Sequence, residues 1–363
     1  MPLSRRTLLG ALPGALAAPY VTQARAAVSD ADIGQMLMLG FAGSSSEAPA
    51  AQNLARHIGA GRVGGACLLG YNSKSRAGVE SLTALFAGAG KDAAPLIAID
   101  QEGGAVQRLG PKLGYDAEPS ARSVAAQYDA GAAQALYQGM AATMRAAGFN
   151  LNLAPVVDLG FEPRNPIVAH FGRAFGSDGA TVTRYASAFV AGHRKAGVLT
   201  ALKHFPGHGS TLIDSHAHPV DLTPTWREEE IEPYVAMARA GLVDIVMTGH
   251  LAHADHTGGE PATLSRKAIE GWLRGPIAYA GVVMTDDLDM KAIRSIYPLN
   301  EAIVRAIAAG NDLVLLSNSA TPDPELPQAA AAAIRAAVAD GRIRPARIGE
   351  SAARLSALKR RLG

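Results

Sequence analysis

Eight short apolar runs recur along the chain: Met36 to Phe41, Ala66 to Tyr71, Leu96 to Ile99, Leu151 to Val157, Val198 to Leu202, Asp244 to Thr248, Val282 to Thr285 and Leu313 to Leu316. Between them lie longer, alanine-rich segments with helical periodicity, among them Ala121 to Ala147, Ala180 to Ala196, Arg227 to Ala240 and Asn300 to Ala309. Strands that alternate with helices pair in parallel, and eight such units predict an α/β fold of the closed (β/α)₈, TIM-like kind. An open doubly wound sheet is the alternative. After Ser317 the sequence reads as a proline-containing loop and two helices, Pro324 to Ala339 and Pro345 to Arg361, so a second, C-terminal catalytic domain is not expected.

The first residues have a different character. Arg5 and Arg6 precede an apolar stretch from Leu8 to Val21, and Ala24-Arg25-Ala26 has the A-x-A form of a cleavage site. Residues 1–26 therefore read as a twin-arginine signal peptide, which predicts a periplasmic or secreted protein, and residues 27–363 as one catalytic domain. A membrane anchor is the competing assignment, but Pro13 and Pro19 break a stretch already short for a bilayer. The leader holds Arg5, Arg6 and Arg25 and no acid, so cleavage takes 34 basic residues to 34 − 3 = 31, against 32 acidic ones. A nearly neutral mature chain gives no reason to expect a nucleic-acid partner or a lasting membrane contact. Cys67 is the single cysteine, so no intrachain disulfide can form.

The runs end in polar or reactive residues: Asp100-Gln101-Glu102, Asp158, Lys203-His204, His250 and Asp286-Asp287. In a (β/α)₈ barrel these C-terminal ends open on one face, where active sites lie. The densest chemistry is Lys203 to His216, K-H-F-P-G-H-G-S-T-L-I-D-S-H, a strand passing into a glycine-marked loop able to carry Asp214 and His216 to a site. A carboxylate two residues from an imidazole can orient it and stabilise its protonated form, as acid/base catalysis requires. Asp286, emerging at the barrel mouth, is a candidate nucleophile or base; the competing role is helix N-cap, which Asp287 or Asp289 can also fill. Asp100 and Arg108 bracket a turn with two glycines, and Arg173 follows a second proline- and glycine-marked loop. Carboxylates and arginines converging on a pocket suit a ligand rich in hydroxyls, although each taken alone is equally a structural ion pair.

Seven histidines, His204, His208, His216, His218, His250, His253 and His256, also raise the question of a metal. A lysine beside His204 would repel a divalent cation, and the expectation is an enzyme without metal or cofactor.

With these residues assembled, the chain resembles glycoside hydrolase family three, in particular its single-domain bacterial β-N-acetylglucosaminidases (β-N-acetylhexosaminidases). The matching motifs are I-D-Q-E-G-G-A-V-Q-R at 99–108, L-A-P-V-V-D at 153–158, G-R-A-F-G-S-D at 172–178, the 203–216 segment, P-A-T-L-S at 261–265 and G-V-V-M-T-D-D-L-D-M at 281–290. The resemblance implies that Asp286 is the nucleophile of a retaining mechanism and that His216, paired with Asp214, is the general acid/base. It also implies that Asp100, Arg108, Arg173, Lys203 and His204 hold a terminal N-acetylglucosamine. After D-S-H the chain continues A-H-P-V-D-L-T, with the proline one residue earlier than in better-known cytoplasmic members, so the loop is differently built and peptidoglycan specificity is less secure than the chemistry. Export is a second departure. The rival expectations are a β-glucosidase or phosphorolytic variant of the family and a catalytically silent sugar-binding protein of the envelope. No oligomeric state is legible.

Overall fold

The computed structural model describes residues 28–91, 93–319 and 321–362; the predicted signal peptide lies outside them. Eight parallel strands form the centre: β1 (Leu37–Leu39), β2 (Gly65–Leu68), β3 (Leu96–Ile99), β4 (Leu151–Asn152), β5 (Leu199–Phe205), β6 (Ile245–Thr248), β7 (Val282–Thr285) and β8 (Val314–Leu316). Every residue in them is buried. This is why they read as unbroken apolar runs rather than alternating ones, since one face fills the barrel and the other meets helices. Neighbours pair in chain order from β1 to β7, and β1 also pairs with β8 through Leu37–Val314, Met38–Leu315 and Leu39–Leu316. The last seam, β7 to β8, is a single bridge between Met284 and Leu313, reinforced by Thr285 N–H to the Leu313 carbonyl at 3.0 Å. The result is a nearly closed (β/α)₈ barrel.

The outer ring comprises α1 (Pro49–Gly59), α2 (Arg76–Ala89), α3 (Ala130–Ala146), α4 (Gly179–Lys195), α5 (Glu232–Arg239), α6 (Leu299–Ala309), α7 (Leu326–Ala339) and α8 (Pro345–Lys359). Between β6 and β7 the crossover is the π-helical segment Lys267–Leu273. Side-chain caps start several of these helices: Ser75 accepts from Gly78 N–H, Asp129 from Ala132 N–H and Asp178 from Thr181 N–H. The helix predicted over 121–147 is in fact two, Ala121–Gln127 and α3, because Asp129 caps the second. The one predicted over 227–240 begins as a 3₁₀ turn, Glu228–Ile231, before α5, whose first turn holds Pro233. Helices α3 and α4 approach so closely at Gly192 that a Cβ there would stand 2.7 Å from the Gln134 carbonyl.

Carboxylates at the N-terminal ends of strands serve stability. Ahead of β8, Asp312 is fully buried and accepts from Arg347 (2.6 Å), Ser351 (2.9 Å), Arg354 (3.1 Å), Arg274 (2.8 Å) and Val283 N–H (3.0 Å), which fastens α8 beneath the barrel. Ahead of β6, Asp244 accepts from Arg194, Arg361 and Thr200. Both are saturated by protein donors.

Candidate active site

At the C-terminal ends of the strands lies a cavity of about 370 Å³, within the size range of small-ligand sites. All eight residues singled out in the sequence, Asp100, Arg108, Arg173, Lys203, His204, Asp214, His216 and Asp286, line it.

Its floor is a buried ion network. Glu102, on the hairpin that follows β3, accepts from Arg173 Nε (2.7 Å) and Nη2 (2.8 Å), and Lys203 Nζ stands 2.8 Å from both Glu102 Oε1 and Asp100 Oδ1. Burial opposes the charge on Glu102, but Arg173 and Lys203 beside it hold its carboxyl well below the usual range; the same contacts raise both cations against their own burial. Arg108 differs: its buried Nε has no hydrogen-bond partner among the described residues. The hairpin places it there because Gln101 Oε1 accepts from the Arg108 and Leu109 amides at 3.0 Å each. Gly103 and Gly104 make the turn with φ of 94° and 58°.

His204 is the penultimate residue of β5, which runs three residues beyond the predicted Leu202 and is buried throughout. Asp158, fully buried after β4, accepts from His204 Nδ1 (2.8 Å), His204 N–H (3.0 Å) and His208 N–H (2.9 Å). Burial would raise Asp158, but the His204 charge and hydrogen bonds lower it, and the ring is held with Nε2 left over. The chain then turns at Gly207 (φ 120°) and passes Leu159 at Gly209, where a Cβ would strike the Leu159 carbonyl. Beyond this point the loop carries Asp214 and His216. Asp214 Oδ1 accepts from His216 Nδ1 at 2.7 Å and from its N–H at 2.8 Å, and the imidazole side chain is 59% exposed. Burial pushes Asp214 up, but the His216 hydrogen bonds bring it below its ordinary value.

Asp286 leaves β7 with its N–H bonded to the Thr248 carbonyl (3.0 Å) and its Oδ1 accepting from Asp287 N–H (2.8 Å). Desolvation would raise its carboxyl, yet His250, His204 and His216 together keep it low, and thus ionised at neutral pH. Asp287 is not a helix cap: it accepts from Asp289 N–H (3.0 Å) and Ser317 N–H (2.8 Å), tying the β7 and β8 loops together, while the short helix that follows starts at Met290 without a side-chain cap. Burial pushes Asp287 up to about 6.

Other histidines have structural partners. His250 bonds Thr263 Oγ1 (2.9 Å) and donates to the Asp287 carbonyl (2.8 Å); His253 and His256 pack with Trp226 and Trp272. Among the described residues no three His, Cys, Asp or Glu side chains are grouped to hold a metal ion. Glu102 and Asp158 were visible in the sequence only as polar residues at strand ends; nothing local marked them as the partners of Arg173, Lys203 and His204.

Residues 28–358 match the family model described as the glycosyl hydrolase family 3 N terminal domain. The β-hexosaminidase of Xylella fastidiosa (strain M23) is 37% identical over 311 residues, 82% of this chain and 87% of that protein. Among solved structures, the β-N-acetylhexosaminidase from Beutenbergia cavernae DSM 12333 superposes with a TM-score of 0.78 at 32% identity, covering 91% of this chain and 98% of that one. The family 3 β-N-acetylglucosaminidase from Paenibacillus sp. str. FPU-7 gives 0.81 at 36% identity over 92% of this chain, which spans only 62% of that longer protein. The barrel, the charged cavity at its mouth and these likenesses agree: the chain belongs to glycosyl hydrolase family 3.

Proposed function

We propose that the protein is an exported exo-β-N-acetylhexosaminidase that releases terminal β-N-acetylglucosamine by double displacement. The observation that carries this is that one cavity is lined both by an ionised Asp286 and by a His216 whose Nδ1 is engaged by Asp214. Asp286 attacks the anomeric carbon while His216 Nε2 gives its proton to the leaving oxygen. Asp214 fixes the tautomer and stabilises the imidazolium that the second step regenerates. Water then reaches the glycosyl-enzyme, His216 Nε2 takes its proton, and Asp286 departs with configuration retained. Asp100, Arg108, Arg173, Lys203 and His204 hold the sugar's hydroxyls; the closed, charged floor suits a chain end rather than an internal unit. Peptidoglycan fragments are one source of such ends. The names of the family relatives favour N-acetylglucosamine over glucose.

Parallel assays on p-nitrophenyl β-N-acetylglucosaminide and β-glucoside, each with and without phosphate, test the proposal. The expected result is phosphate-independent release from the first substrate, with the β-anomer as initial product. Preference for the glucoside, or a glycosyl phosphate product, would replace it with one of the rival activities; no turnover on either would leave a sugar-binding protein.

A further inference from the structure

The cavity has buried charges at its floor and an exposed aromatic ring at its rim. Glu102, Arg173 and Lys203 at the bottom are buried, whereas Phe171, which lines the same cavity, is 46% exposed. On the acid/base loop, Leu212 and Ile213, immediately before Asp214, are 50% and 42% exposed. Exposed apolar side chains scattered singly need no explanation. Phe171 is different in being fixed at a binding cavity. On one side, Arg122 Nη2 donates to the Ala169 carbonyl and Arg173 Nη1 to the Ile167 carbonyl (3.1 Å). On the other, Arg122 N–H donates to the Gly172 carbonyl (3.1 Å), and Gly172 takes φ 65° to bring the chain round. The ring also meets His170 edge to face, 4.7 Å between centroids. A phenylalanine on backbone held this way loses little entropy on binding a ligand, and nearly half of its surface is open to solvent.

We infer that Phe171 is the platform on which the leaving group of the substrate rests when that group is a sugar ring. The inference depends on the function proposed above. In an exo-acting pocket the residue being removed fills the floor and the leaving group lies at the rim. His216, the proposed donor to the leaving oxygen, is itself a rim residue, so the leaving group sits on the level of Phe171. An equatorially linked pyranose presents a face of C–H groups that packs on an aromatic ring and covers it from water. A small alcohol does not reach it. Leu212 and Ile213 give the loop that carries Asp214 and His216 an exposed apolar edge.

The test compares N,N′-diacetylchitobiose with methyl β-N-acetylglucosaminide. Both release an alcohol whose oxygen must be protonated as it leaves, so they differ in what occupies the rim rather than in the kind of leaving group. Phe171→Ala should lower kcat/KM on the disaccharide about 10-fold while changing the methyl glycoside less than about 2-fold, and Phe171→Trp should keep the disaccharide rate. Equal losses on both substrates, or no loss on the disaccharide, would overturn the inference. Inactivity of the wild-type enzyme on both glycosides would remove the function beneath it, a failure separate from any change in the ratio.

Discussion

Replacing Glu102 by glutamine tests whether the cavity floor is a single buried ion network. The carboxylate takes three short contacts, two from Arg173 and one from Lys203, with side-chain exposures of 6%, 9% and 4% for Glu102, Arg173 and Lys203. A glutamine oxygen can satisfy one of these donors, and its amide N–H groups would face the others. Lys203 keeps Asp100; Arg173 keeps only the Ile167 carbonyl. Removing one member of a buried pair costs about 3–5 kcal/mol, because the remaining charge stays desolvated. At roughly 2 °C per kcal/mol for a domain of this size, the melting temperature should fall by about 6–10 °C. Urea titration followed by circular dichroism gives the free-energy difference directly. The sign with pH is fixed too: Glu102 is depressed in the folded state, so its contribution is present above the ordinary glutamate range and is lost only as pH falls below it. The gap between wild type and Glu102→Gln should therefore be level from about pH 6 to 9. A loss under about 1 kcal/mol would show that Arg173 and Lys203 do not depend on Glu102.

Two further outcomes are expected. Glu230, buried beneath the start of the loop that carries Asp214 and His216, with Oε2 accepting from Gly209 N–H (2.9 Å), is pushed up to about 8 by burial. Its folded form thus binds a proton that the unfolded chain releases near 4, and stability falls as pH rises between those values. Glu230→Gln should match the wild-type melting temperature near pH 4–5 and exceed it increasingly towards pH 8; a gap independent of pH would refute this. For export, a reporter fused to residues 1–30 should reach the periplasm, and Arg5→Lys with Arg6→Lys should stop it; unchanged transport of the double variant would rule out the twin-arginine route.

Much of the barrel was legible because its strands are buried on both faces and so appear as apolar runs, one for each observed strand. Boundaries were harder to place. The run Leu151 to Val157 contains Pro155, which has no N–H to give, and yields only a two-residue strand followed by an isolated bridge from Val156 to Lys203. The run ending at Leu202 continues to Phe205 because Lys203 and His204, though polar, are paired by Asp100, Glu102 and Asp158. The crossover Lys267–Leu273 escaped notice, as did the break before Asp129. In the site, the residues that stood out were those with conspicuous local spacing, such as Asp214 and His216. Glu102 and Asp158 act across 71 and 46 residues of sequence, and Phe171 matters only because it lies at the rim; none of these relations has a local signature.

The division of labour between Asp286 and His216 is tested most directly by the leaving-group dependence of His216→Ala. Loss of proton transfer should lower the rate by roughly 10²- to 10⁴-fold on N-acetylglucosaminides with poor leaving groups. A dinitrophenyl glycoside needs little protonation, so its phenolate should appear in a burst, followed by slow turnover because water lacks a base. Azide, which needs none, should accelerate that turnover and give the β-glycosyl azide, whereas Asp286→Ala should give neither burst nor azide product. Equal impairment of His216→Ala on activated and unactivated substrates, with no glycosyl azide formed, would contradict the assignment of His216 as the acid/base.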